Sequence, residues 1–150
     1  MSDACAGTPE PERAMRNLHR LFEAVPDKGP FLPHLREIAR LFSFSQSLAN
    51  YSFTNPGGLL EAFEEIDRFP KKQEIVERAK AEAGLAESMD VKEAMSALRR
   101  IKKRYLLLLT LRDVIGKTDF LSTMDELTVL AEALLEAALE WSLRKNISRS

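Results

Sequence analysis

Residues 91–116 read VKEAMSALRRIKKRYLLLLTLRDVIG, and the pattern of this stretch decides the fold. Asp90 followed three residues later by Glu93 has the spacing of a capping box, which predicts a helix opening at Val91. From there Val91, Leu98, Tyr105 and Arg112 recur every seven residues, and Ala94, Ile101, Leu108 and Ile115 do the same. Leu106, Leu109 and Leu111 widen the apolar surface until it runs almost all round. A helix of that kind must be central to its fold. It is expected to end near Ile115, with Gly116 as its stop.

Towards the C-terminus, Thr123 followed by Glu126 repeats the capping-box spacing and predicts a second long helix from about Met124 to Lys145. Leu127, Leu130, Leu134, Ala138 and Trp141 share one face of it, and Arg144 and Lys145 complement the dipole in its last turn. In the isolated chain Trp141 is expected to be partly exposed or used in self-association. The 70–83 stretch is charged, with Ile75, Val76 and Ala79 as its apolar part, and reads as a solvent-facing helix stopped by Gly84.

Before Pro70 the composition changes: all seven prolines lie at or before that residue, as do all but one of the eight phenylalanines. Short helices punctuated by breakers are the natural reading. Thr8-Pro9 signals a cap and first helical position, with Met15, Leu18, Leu21 and Phe22 as the apolar stripe behind it. Pro26, Gly29 and Pro30 end that helix. Another begins near Pro33 with Leu35, Ile38, Leu41 and Phe42 inward; Ser43 or Ser45 caps a short third one. Asn55-Pro56 opens a fourth with Leu59, Leu60, Phe63 and Ile66 inward. No segment alternates with the period of a strand and no repeat recurs at fixed spacing. The fold class is therefore all-α, an irregular helical bundle with two long C-terminal helices. Its expected organisation is a flexible tail over 1–8, a short-helix subdomain over 9–70, and a long-helix part of the same bundle over 71–150.

With 150 residues, 45% hydrophobic and 30% charged, the chain has a globular composition and enough length to bury a core. A formal net charge of −1 supplies no global field for nucleic acid or an anionic membrane, so neither is an expected partner. No signal peptide or membrane span is apparent, and a cytoplasmic location is expected.

Catalytic chemistry finds little support. The single cysteine, Cys5, sits in the expected tail, where a thiol cannot be held in attacking geometry. His19 and His34 are fifteen residues apart, with no metal-ligand spacing around them. Gly57-Gly58 lacks the Lys-Ser/Thr of a phosphate loop and reads as a helix start. Glu64-Glu65 and Asp125-Glu126 are helix neighbours pointing in different directions. No catalytic, cofactor-binding or metal-ligating residue is assigned. The feature above background is the basic run from Arg99 to Arg104, five cationic residues in six. Arg99, Arg100, Lys103, Arg104 and, further on, Arg112 are the candidate docking residues. A solvated face whose stems lie over the core is the expectation for Arg99 and Lys102. Arg104 and Arg112 abut the apolar seam, and if covered they need a carboxylate from another helix.

The segment from Leu98 to Gly116, followed by the helix from Met124 to Trp141, resembles the region just before the first nucleotidyltransferase domain of bacterial bifunctional glutamine synthetase adenylyltransferase/adenylyl-removing enzymes. That family shows a Leu-Arg-Arg-x-Arg-x-Arg run, an apolar stretch, an Arg-Asp-Leu-like step and a Leu-Ala-Glu/Asp helix ending in Trp. Ile38-Ala-Arg-Leu-Phe42, Ser45, Leu48-Ala49 and Asn55-Pro-Gly-Gly-Leu-Leu60 look like its earlier elements. Gly58 stands where the family has an acidic residue, and Ser47-Leu48 replaces its Phe-Leu. The resemblance implies a parent enzyme that moves AMP from ATP, with magnesium, onto a tyrosine of glutamine synthetase and removes it by phosphorolysis. A PII signal protein and a downstream nucleotidyltransferase domain are the further implied partners. The family's Ser-x-Asp-x-Asp signature has no counterpart here, since no Asp-x-Asp occurs in the chain. No cofactor is thus expected on this segment. The competing expectation is a free-standing helical protein-interaction module.

Overall fold

Prolines, serines and one glycine set most of the element boundaries in the computed structural model, which describes residues 1–82 and 90–149. Helix α1 (Ser2–Cys5) is a single turn, and the Thr8 hydroxyl donates to the Cys5 carbonyl at 2.7 Å just beyond it. Thr8 therefore closes α1 and does not open the next helix. That helix, α2 (Pro11–Ala24), uses the second proline of the Pro-x-Pro pair at its first position, and the Glu10 amide before it donates to Ser43 Oγ at 2.7 Å. The expected flexible tail over 1–8 is thus replaced by a helical turn whose Cys5 is only 2% exposed.

A 3-10 turn (Gly29–His34) leads into α3 (Leu35–Phe44), and Ser45 caps α4 (Gln46–Thr54) by accepting the Leu48 amide at 3.2 Å. Asn55 precedes Pro56 at the start of α5 (Pro56–Glu64), yet its side chain turns back to donate to the Tyr51 carbonyl at 3.0 Å. It finishes α4; the proline alone starts α5. Leu18, Leu21, Ile38, Leu41, Phe42 and Leu59 are fully buried, and His34 stacks on Phe63 with centroids 3.9 Å apart. Asn17, buried among them, donates to the Phe42 carbonyl at 3.1 Å and exchanges amide bonds with Gln46, which satisfies its polar atoms.

Three further helices follow: α6 (Lys72–Glu82), α7 (Val91–Val114) and α8 (Phe120–Arg149). The opening of α7 is the predicted one, with Asp90 Oδ1 accepting the Glu93 amide at 2.8 Å. Its end is also as read. Gly116 has φ +80°, its amide donates to the Asp113 carbonyl at 3.1 Å, and the Lys117 amide donates to the Arg112 carbonyl at 2.8 Å. These are the paired bonds of a Schellman motif. Helix α8 begins at Phe120, earlier than the Thr123 signal, so Thr123 and Glu126 lie inside it; Asp119, just before, is of the type that favours a helix start. The Gly84 stop proposed for the 70–83 helix lies outside the described residues.

Two compact units result, one of residues 1–67 with 107–119 and the other of 68–106 with 120–150. This replaces the division at residue 70, because α7 contributes its first part to one unit and its leucine-rich end to the other. In the second unit Ile75, Val76 and Ala79 of α6 are fully buried against Ala97, Ile101 and Tyr105 of α7 and Leu130, Ala133, Ala137 and Trp141 of α8. Helix α6 is therefore amphipathic and core-forming rather than solvent-facing. Its apolar strip covers Trp141, which is 7% exposed instead of partly open, with Lys145 Nζ 5.0 Å from the ring centroid. Lys72 pairs with Glu136 at 3.6 Å and Lys80 with Glu140, tying the polar flanks of α6 and α8. Among the described residues there is no strand. The fold is all-α.

Candidate functional site

On α7 the basic run straddles the inward residues Ile101 and Tyr105, which are 4% and 1% exposed. Arg99, Arg100 and Lys102 stand in solvent on the outer side. Lys103 and Arg104 are half-buried, and both are engaged in interactions within the chain. A spacing of four along a helix puts such side chains beside one another, so the stems flank the seam while the outer charges stay hydrated.

Arg112 is placed differently. It belongs to the unit of residues 1–67 and 107–119, whereas the basic run belongs to that of 68–106 and 120–150. It is 7% exposed, and its Nη1 donates to the Ile66 carbonyl at 2.6 Å, in the turn after α5. One acceptor of Arg112 is thus a backbone carbonyl, of the kind that chain segments leaving a helix leave open. Two neighbours reinforce the same corner and were not singled out in the sequence. Arg40 Nη1 of α3 donates to the Val114 carbonyl at 3.2 Å, and Lys117 Nζ reaches Asp67 Oδ1 at 3.2 Å. Basic side chains at orphan carbonyls near a helix C-terminus suit both hydrogen bonding and the dipole. The only hint in the sequence is the position of Lys117 directly after the glycine stop.

Cys5 is held by burial in the α1 turn, 2% exposed. Burial pushes its thiol above the ordinary cysteine value, against the thiolate that nucleophilic attack requires. Among the described residues no three His, Cys, Asp or Glu side chains are grouped to hold a metal ion. A cavity of about 420 Å³ beside α1 and α3 is lined by Asp3 and Glu37 together with Arg36 and Arg40, a mixed lining with no single-sign field. Gly57 and Gly58 lie in the first turn of α5, as the helix-start reading requires.

A sequence model of the family described as glutamate-ammonia ligase adenylyltransferase matches residues 35–150. The chain belongs to this family. Its matched region begins at the first residue of α3 and includes the basic run, Arg112 and all of α8. Among curated proteins, the bifunctional glutamine synthetase adenylyltransferase/adenylyl-removing enzyme of Shewanella loihica is 28% identical over 136 residues, 85% of this chain and 13% of that protein. The protein of the same description from Mycolicibacterium smegmatis is 28% identical over 153 residues, 96% of this chain and 15% of its own length. The adenylyltransferase-family chain thus spans about one-seventh of these relatives. No solved structure matches it.

Proposed function

We propose that this chain acts as the N-terminal helical part of a glutamine synthetase adenylyltransferase and supports a catalytic domain without carrying out chemistry itself. The family match over residues 35–150 carries the reading. In the proposed parent reaction, a glutamine synthetase tyrosine oxygen attacks the α-phosphorus of ATP and pyrophosphate leaves. In the reverse activity, inorganic phosphate attacks the same phosphorus and releases the tyrosine with ADP. Both transfers need in-line positioning and charge neutralisation at phosphorus, which magnesium held by paired carboxylates would supply. The chain contains no Asp-x-Asp to hold it, and Arg112, the cation most enclosed by protein, is committed to the Ile66 carbonyl. ATP, magnesium, glutamine synthetase and the PII signal protein accordingly belong to the parent enzyme. Among the described residues no helix is long and apolar enough to cross a membrane; a cytoplasmic parent is part of the proposal and rests on the family resemblance alone.

Exchanging the matched region of the Shewanella loihica relative for this chain tests the reading. The chimaera is expected to adenylylate glutamine synthetase, whereas the relative lacking that region is expected to lose the activity. A deletion variant as active as the intact relative would contradict a supporting role.

A further inference from the structure

Beside α1 and α3 runs a groove that a supporting role for the chain leaves unused. The cavity of about 420 Å³ lined by Asp3, Arg36, Glu37 and Arg40 shares Arg36 with one of about 330 Å³ that reaches Leu32. It shares Arg40 with one of about 290 Å³ that reaches Phe44. All three follow the same edge of α3, inside the unit of residues 1–67 and 107–119. At the two ends of the groove Leu32 is 54% and Phe44 63% exposed.

The middle of the groove holds charges of both signs that do not neutralise one another. Among the described residues Asp3, Arg36 and Glu37 make no ion pair or side-chain hydrogen bond. Arg40 gives one N–H to the Val114 carbonyl at 3.2 Å and keeps the rest of its fork. Opposite charges that line one cavity without pairing suit a ligand that carries both signs itself.

We propose that this groove takes an extended segment of a partner polypeptide, apolar at its two ends and acidic between them. Leu32, Arg36, Arg40 and Phe44 follow one another at steps of four, a ridge with about 6 Å between neighbours. Alternate side chains of an extended chain lie about 6.7 Å apart on one side, which nearly matches that ridge. The segment therefore sets an apolar side chain against Leu32, carboxylates against Arg36 and Arg40, and a second apolar side chain against Phe44. Basic residues at the intervening positions meet Asp3 and Glu37. The cavities continue along the whole ridge, which a chain fills and a free amino acid does not. Asp3 and Leu32 precede the residues 35–150 that the family model matches, so part of the groove lies outside the family match.

Fluorescence anisotropy tests the proposal with the labelled peptide Leu-Lys-Glu-Gly-Glu-Lys-Leu titrated with the native chain. Saturable binding that weakens with added salt is expected. Arg36→Gln breaks no hydrogen bond or ion pair within the chain and is expected to weaken binding about tenfold, with the thermal melt unchanged. Leu32→Ser, at an exposed position, is expected to weaken it as well. Arg36→Glu is expected to prefer the peptide whose first Glu is replaced by Lys. No saturation at a chain concentration of about 1 mM overturns the proposal, as does equal binding by the native chain and Arg36→Gln. Displacement of the peptide by an equal concentration of free glutamate also overturns it and assigns the cavity to a small zwitterion.

Discussion

A guanidinium that is 7% exposed needs acceptors, and Arg112 has the Ile66 carbonyl at 2.6 Å. Removing such a donor leaves a covered carbonyl unsatisfied, so Arg112→Gln is expected to lower the unfolding free energy by about 1–3 kcal/mol in urea denaturation. Arg100→Gln, on the solvent side of the same helix, is expected to leave the urea midpoint in place. Equal midpoints for the two variants would contradict the anchoring role of Arg112. The sequence set Arg112 apart as a residue of the apolar seam, but it kept Arg100 among the same docking candidates. The Ile66 acceptor of Arg112 was not legible, and neither were the roles of Arg40 and Lys117. Arg40 and Arg112 reach backbone carbonyls, which no side-chain spacing announces, and the Lys117–Asp67 pair spans fifty residues of chain. Asn17 is a similar case: a polar residue inside an apolar stripe reads as an interruption until Phe42 and Gln46 arrive beside it.

Helix ends divide into those specified by one residue and those that depend on neighbours. Gly116 at φ +80° is specified locally, and a Cβ added there meets nothing within 4 Å, so the whole cost of substitution is backbone. Gly116→Ala is expected to destabilise by about 1–2 kcal/mol, with Gly116→Asn costing less because asparagine tolerates the left-handed region better. Thermal melts that do not distinguish Gly116→Ala from the native chain would refute this. Asp90 was equally readable and Ser45 was one of two serines offered as a cap; each side chain accepts an amide three residues on. Thr123 misled because a capping spacing also occurs inside a helix already under way from Phe120. Helix α6 misled for a different reason: Ile75, Val76 and Ala79 are a small apolar share of a charged segment, yet burial depends on their common face and not on their number. Ile75→Ala should therefore cost about 2–5 kcal/mol and shift Trp141 emission to longer wavelength. A change well below 1 kcal/mol, as for an exposed site, would return α6 to the solvent.

For the whole molecule, the all-α class followed from patterning alone, whereas the division into two units did not. A helix apolar almost all round reads as the axis of one bundle; α7 instead serves residues 68–106 with its first part and residues 107–119 with its last. The family was legible because the basic run, the leucine-rich end and the helix carrying Trp141 follow one another in an order that resembles the family's, and all three lie within the matched residues 35–150. Function at this scale rests on what the helical chain supplies and what it leaves to the rest of an adenylyltransferase. The most direct measurement incubates the purified 150-residue chain with glutamine synthetase, magnesium and ATP labelled at the α-phosphate. The account predicts no label on glutamine synthetase beyond a control without the chain, because no Asp-x-Asp is present to hold the metal for the transfer. Label above that control, lost on adding a chelator, would contradict a non-catalytic supporting role.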